Sequence, residues 1–385
     1  MNVTVPVWQR PPRAVYVHVP FCRRRCGYCN FTLVAGRNDL IQPYLDAIAL
    51  EMQMRRDLPC PVDTIFVGGG TPSQVRGKHW QQFATMLRHN FPLSDQGEWS
   101  VEVNPEDVDY GYLTRLREDG VTRVSLGVQS LSDDKLKELE REHSGQQARD
   151  AIRLARAVME FVSVDLIFAA PNETPAQWRV DLSNVIDLGV DHISTYGLTY
   201  EQGATFWSRQ EKGLLTTVDE EQELEMYLLA IESLTDAGFE HYEISNFARP
   251  GNRCRHNECY WTGATYHAIG PGASRHLNGR RETNHRSTTQ YIRRLTEGRS
   301  PVTEVEEDDD RDRAVEVLVF GLRQIDGVDR DWFFANTGFD LDELGGQPLE
   351  EYRKEGWLQD DGRRIALSRR GLVISDSLWG RLLVK

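Results

Sequence analysis

Short apolar runs alternate with amphipathic stretches through the first 240 residues of the chain. The runs at 14–19, 64–68, 100–103, 124–127, 164–168 and 192–196 are short, rich in Val and Ile and bounded by turn residues, the pattern of strands. Between and after them, the segments 40–55, 78–90, 110–118, 133–142, 146–160, 175–188 and 220–237 carry apolar residues at helical spacing. Strand–helix repeats bring each strand back parallel to the last. The pattern therefore predicts an α/β fold of six units closing as an open, partial (βα) barrel, with its chemistry at the C-terminal ends of the strands. From about residue 287 the pattern changes. A helix begins within 314–322, another ends at Gly356, Asp360-Asp361-Gly362 signals a turn and 364–367 reads as a hairpin strand. This predicts a smaller α-rich C-terminal domain with a winged-helix layout, and divisions at 1–240 (barrel), 241–286 (connecting segment) and 287–385.

Charge narrows the function. The 385 residues carry a formal net charge of −14, which argues against nucleic-acid binding, a property of basic faces. No apolar run approaches the roughly 20 residues of a membrane span. The acidic run 304–310 reads as a solvated helix start or linker. Six cysteines and no signal-peptide pattern suit a reducing cytoplasm.

Three of those cysteines, Cys22, Cys26 and Cys29, fall within eight residues directly after the first strand. Three thiolates ligate three irons of a [4Fe–4S] cube, and because such clusters usually take four cysteines, one iron is left open to another ligand. Zinc is the alternative for soft thiolates. It fits less well, since structural zinc takes four closed ligands at recurring pair spacings and no second cysteine pair follows here. His18 as a fourth ligand is outweighed by its place in an alternating strand.

At these residues the chain resembles the radical S-adenosylmethionine (SAM) superfamily, whose hallmark is C-x3-C-x-aromatic-C, the aromatic here being Tyr28. The opening Tyr16-Val17-His18-Val19-Pro20-Phe21-Cys22 is similar to that of its coproporphyrinogen III oxidase-like branch. The resemblance implies a radical SAM barrel with a [4Fe–4S] cluster on the three cysteines. It also implies SAM on the open iron, where reduction generates a 5′-deoxyadenosyl radical, chemistry that belongs to the cofactor. Gly68-Gly69-Gly70-Thr71-Pro72 resembles the segment that holds the methionine moiety of SAM, through Gly69, Gly70 and Thr71, although a Gly triplet alone is also a tight turn. Glu102 matches the carboxylate that accepts from the ribose hydroxyls. Gln129, Arg141 and Asp165 join Tyr16 and Tyr28 as cofactor-binding candidates, against the ordinary roles of strand-end amide, surface arginine and strand residue. Phe168-Ala169-Ala170-Pro171 departs from the family's Y-G-L-P, and the missing glycine is expected to narrow the pocket.

The second half is similar to a haem-chaperone subfamily of that branch, whose H-N-x-x-Y-W signature is carried by His256, Asn257, Tyr260 and Trp261. An imidazole beside two aromatics suits haem, and a core histidine among aromatics is the ordinary alternative. The resemblance makes haem a third cofactor, with His256 as its ligand, and an unknown apo-haemoprotein the acceptor. It also places the chain at the membrane periphery during delivery, and dimerisation is left open. Cys254 and Cys259 flank His256, and Cys60 sits between prolines; lone cysteines are more often small buried hydrophobes, and all three stay outside the site. The competing reading is an oxygen-independent coproporphyrinogen III oxidase. Against it, Phe31 stands where such oxidases carry a further cysteine, and only thirteen residues precede the first strand. The favoured expectation is a haem carrier in which the cluster and SAM gate assembly, with decarboxylase activity not expected.

Overall fold

The structure is a computed structural model that describes residues 5–383. Strands β1 (Ala14–Val19), β2 (Val62–Gly69), β3 (Leu93–Val103), β4 (Arg123–Gln129), β5 (Phe161–Phe168) and β6 (His192–Gly197) pair in parallel in that order. Helices α1 (Ile41–Met54), α2 (Lys78–Asn90), α3 (Tyr110–Glu118), α4 (Asp133–Glu138), α5 (Gly145–Val158) and α6 (Pro175–Asp187) lie in the crossovers, and α7 (Thr205–Glu211) and α8 (Glu220–Asp236) follow β6. The helix expected over 133–142 stops at Glu138 because Glu140 adopts a left-handed φ of 55° that an L-residue helix cannot continue. Ser144 and Thr174 open α5 and α6 with reciprocal capping boxes through Gln147 and Gln177.

The segment 241–286 is woven into the sheet rather than set beside it. Strands β7 (Glu240–Glu243) and β8 (Asn246–Ala248) extend it antiparallel from β6, and after α9 (Arg255–Trp261), β9 (His267–Ile269) pairs in parallel with β1 at the other side. Among the described residues the sheet has nine strands and its outer strands do not pair with each other, so the barrel is open.

Strand alternation separates two environments. Val15, Val17, Ile65, Val67, Val101, Val124, Leu126, Val164 and Leu166 are completely buried in one apolar core. The alternate positions, among them Phe66, Glu102, Ser125, Gly127, Ser163, Asp165 and Ser194, line an interior cavity. At its floor Arg123 donates to Glu98 Oε2 from Nε (3.2 Å) and Nη2 (2.9 Å), to Ser163 Oγ (3.1 Å) and to the carbonyls of Asn252 and Arg253 (3.1 and 3.2 Å). These bonds fasten the loop before α9 beneath the barrel.

Three antiparallel strands, β10 (Ser274–Leu277), β11 (Arg280–Asn284) and β12 (Val302–Glu307), then lead to the C-terminal domain. Helix α10 (Thr288–Thr296) intervenes and buries Tyr291 and Leu295 against Ala47. The acidic run expected at a helix start is split: 302–307 is an edge strand, and Asp309 caps α11 (Asp310–Leu322) by accepting from Asp312 N. The order α11, β13 (Val328–Asp329), α12 (Arg330–Thr337), α13 (Leu341–Lys354), β14 (Leu358–Asp360), β15 (Arg364–Leu367) is that of a winged helix. Its core includes Val7 and Trp8 from the N-terminal segment. Among the described residues no helix is long and apolar enough to cross a membrane.

Arg123→Ala strands Glu98 without its cation and releases the floor, so unfolding free energy should drop by about 3–5 kcal/mol. Urea denaturation followed by circular dichroism measures it, and an unchanged midpoint would remove the arginine from the account of the floor.

Candidate cofactor site

The cysteine loop leaves β1 at the C-terminal end of the barrel. Phe21–Cys22 pairs with Val34–Ala35, and the base is closed by Val34 N donating to Pro20 O (2.7 Å) and Gly36 N to Cys22 O (2.9 Å). From outside, Phe206 N on α7 donates to Gly27 O (2.8 Å), and the Phe206 ring meets Tyr28 edge-on at 6.2 Å. Cys22, Cys26, Tyr28 and Cys29 all line the interior cavity, which measures about 650 Å³. Cys22 is buried with Sγ 3.1 Å from Thr71 Oγ1. Arg141 Nη1 lies 3.9 Å from Cys26 Sγ, while its Nη2 donates to Asn104 Oδ1 and Gly127 O, both at 2.9 Å.

This donor set fits an iron–sulfur cube. Burial pushes the Cys22 thiol up to about 11, with Cys29 and Cys26 adding to the rise and Thr71 opposing it, and burial also raises Cys29. Crowded, desolvated thiolates need a cationic centre beside them. Among the described residues no three His, Cys, Asp or Glu side chains gather round one ion position. A cube presents a separate iron to each thiolate. When bound, such a cluster supplies one-electron chemistry.

The remaining lining fits a polar cofactor. Gly69 has φ 115°, and a Cβ there would lie 2.5 Å from the His18 ring; at Gly70 a Cβ would lie 2.8 Å from the Phe21 carbonyl. Gly69 is required for β2 to pass this close to β1, and Gly70 for the chain after β2 to pass the start of the cysteine loop. Gly69 N donates to Glu102 Oε2 (2.9 Å). Burial, with the nearby Asp165 adding to it, pushes the Glu102 carboxyl up to about 8, against that bond. Asp165 is pushed up to about 6 by burial, opposed by hydrogen bonds from Ser194 and Ser125. Two carboxyls with so few donors suit a ligand that brings hydroxyls or an ammonium group. Gln129 lines the same cavity at a strand-end bulge, with a strained φ of 65°.

The structure therefore brings together Cys22, Cys26, Tyr28, Cys29, Gly69, Gly70, Thr71, Glu102, Gln129, Arg141 and Asp165. It leaves two candidates out. Tyr16 does not line this cavity; its hydroxyl sits 3.0 Å from His18 Nδ1 and it borders a neighbouring hollow with Tyr260 and Tyr266. His256 is 1% exposed, with Nδ1 2.9 Å from Thr64 Oγ1, Nε2 2.9 Å from Tyr260 Oη and its ring stacked on Phe66. His256, expected as haem ligand, thus packs within the barrel with both ring nitrogens hydrogen-bonded, and lines neither this cavity nor the neighbouring hollow. The narrowing expected at Ala169 and Ala170 is corrected, since neither lines the cavity; Ala169 keeps the left-handed φ (59°) that glycine adopts without strain.

Sequence reasoning missed Asn104, which orients Arg141 and whose Nδ2 reaches Thr71 Oγ1 at 3.3 Å, and also Ser125, Ser194 and Tyr196 around Asp165. Asn104 had a readable signal, its place directly after a barrel strand; the serines had only strand alternation.

A family model of the Radical SAM superfamily matches residues 16–183, and one of the HemN C-terminal domain matches 308–374. The solved coproporphyrinogen III oxidase (HemN) from Escherichia coli superimposes with a TM-score of 0.85 over 97% of this chain and 90% of that chain, at 21% identity. Fold and site thus define a radical SAM protein of the HemN-like branch, which implies a [4Fe–4S] cluster and SAM. Two curated relatives narrow this further. Heme chaperone HemW of Bacillus subtilis is 30% identical over 375 residues, covering 96% of this chain and 99% of the relative, and heme chaperone HemW of Mycobacterium tuberculosis is 34% identical over 382 residues, covering 97% and 95%. The chain belongs to the HemW family.

Replacing any of Cys22, Cys26 or Cys29 by Ser should abolish a stable cube with the fold retained. Iron and sulfide analysis after anaerobic reconstitution checks this, and four irons per chain in all three variants would refute the ligand set. A second prediction concerns pH. Glu102 holds its proton up to about 8 when folded, against an ordinary 4.5, so the folded state binds a proton the unfolded chain has released. Its contribution makes stability fall as pH rises from about 4.5, with the fall complete above about 8. Glu102→Gln should flatten the decline of the urea midpoint between about pH 6.5 and 8 in the cluster-free protein. Equal slopes in both proteins would contradict it.

Proposed function

We propose that this chain is a haem chaperone: it holds a [4Fe–4S] cluster and SAM in the barrel, binds haem and delivers it to an acceptor apo-haemoprotein. The observation that carries this reading is the end-to-end likeness to proteins named heme chaperone HemW, at 30–34% identity. The second reading, oxidative decarboxylation of coproporphyrinogen III, has the fold of the Escherichia coli enzyme in its favour.

The charge of the barrel interior weighs against that second reading. Its substrate is a tetracarboxylate, which needs unspent cations. Six carboxyl residues line the cavity (Glu102, Glu106, Glu140, Glu142, Asp165 and Glu201) against five arginines (Arg23, Arg24, Arg123, Arg141 and Arg286). Arg23 is already paired with Asp107, Arg24 with Glu140 at 3.7 Å and Arg123 with Glu98 at 2.9 Å. Beside the third cluster cysteine, Phe31 is 65% exposed and puts a phenyl ring at the cavity mouth.

Reconstituted protein given SAM, reductant and coproporphyrinogen III should form no protoporphyrinogen IX above a cluster-free control, as read by chromatography of the oxidised porphyrins. The same preparation should take up haem in an absorbance titration. Clear decarboxylated product would favour the oxidase, and absence of haem uptake would overturn the chaperone reading.

A further inference from the structure

A further cavity, of about 360 Å³, lies between α9, the β10–β11 hairpin and α11. Its lining shares no residue with the cofactor cavity. Trp8, Tyr260, Trp261, Tyr266 and Phe320 give it flat apolar walls, and His276 stands among them. The rings are mutually braced: Tyr260 meets Tyr266 edge-on at 4.8 Å, Tyr266 meets His276 at 6.1 Å and Trp261 meets Phe320 at 6.4 Å.

His276 is only 5% exposed, and its Nε2 has no hydrogen-bond partner among the described residues. Burial pushes the imidazole down to about 4, so the ring is neutral and one of its nitrogens carries a lone pair. A lone pair on Nε2 is what a metal-ligating imidazole offers. Trp261 Nε1 on the same wall is likewise without a partner. A buried polar atom left unpaired calls for an explanation, and two of them on residues that line one aromatic cavity point to a missing ligand. At the rim Arg281, its side chain 23% exposed, is held 3.3 Å from both Glu316 and Glu306, so its charge is already paired.

We propose that this cavity seats the cargo haem, with His276 Nε2 as axial ligand to the iron and the aromatic rings against the macrocycle. This rests on the haem-chaperone reading and gives it a place. At about 360 Å³ the cavity would take only part of a tetrapyrrole, as suits a cargo that has to be passed on. The H-N-x-x-Y-W signature is then divided in role: His256 fills the barrel, while Tyr260 and Trp261 turn their other side to the cargo.

The test is haem titration of the full-length, cluster-loaded protein, followed by Soret absorbance and by electron paramagnetic resonance of the ferric complex. Wild type should show a histidine-ligated spectrum. His276→Ala should lose that signature and bind at least about tenfold more weakly, with added imidazole restoring the spectrum and the cluster content unchanged. Because His276 is buried, Trp261→Ala serves as a second variant at a half-buried position and should weaken binding with the histidine signature kept. If wild type binds haem and His276→Ala matches it in spectrum and affinity, the site is wrong and the chaperone reading stands. If wild type binds no haem, both fall.

Discussion

A single guanidinium holds the bottom of this barrel. Arg123 enters at the start of β4, where water is excluded, and all of its bonds run to groups that would otherwise be orphaned: Glu98 on β3, Ser163 on β5 and two carbonyls of the loop before α9. Desolvating such a charge is costly, and only a full set of partners offsets it. With the loop fastened, α9 presents His256 to Thr64 and Phe66 from below. An open barrel whose inward residues are polar needs such a plug, because its strands alone do not satisfy them.

Alternation then propagates upward from the floor. On β3 the inward row runs Glu98, Ser100, Glu102; on β4 it runs Arg123, Ser125, Gly127; on β5 Ser163, Asp165. At the bottom, carboxylate and guanidinium neutralise each other. Halfway up, burial pushes the Glu102 and Asp165 carboxyls up, with Arg141 opposing the rise at Asp165. At the top, three thiols and Arg141 ring the mouth. The interior thus grades from a satisfied structural end to an unsatisfied chemical end, and the unsatisfied end is where a cluster and a polar cofactor fit.

The segment 241–286 makes the second half of the chain part of this arrangement. It supplies strands at both sides of the sheet and the helix of the plug, and its hairpin closes an aromatic cavity against α11. The C-terminal domain is therefore joined to the barrel through packed side chains, including Trp8 from the opposite end of the chain, whose Nε1 donates to Asp310 Oδ1 at 3.0 Å.

Local patterns carried much of this molecule in the sequence alone. Six strand runs, the cysteine spacing, the glycine triplet and the winged-helix order are short-range signals, set by period, turn chemistry and ligand count, and each was legible without knowledge of its neighbours. What tertiary structure decided was partnership. His256 beside Tyr260 and Trp261 reads as an iron ligand in one dimension, yet both its nitrogens are taken, one by Thr64, 192 residues away. Ala169 reads as an obstruction, yet it does not line the cavity. Nothing in the sequence around His276 or Arg123 marks them, because an unpaired imidazole and a buried ion pair are properties of what folds against a residue. Whether a polar group is satisfied depends on contacts from distant segments, and only the folded chain supplies them.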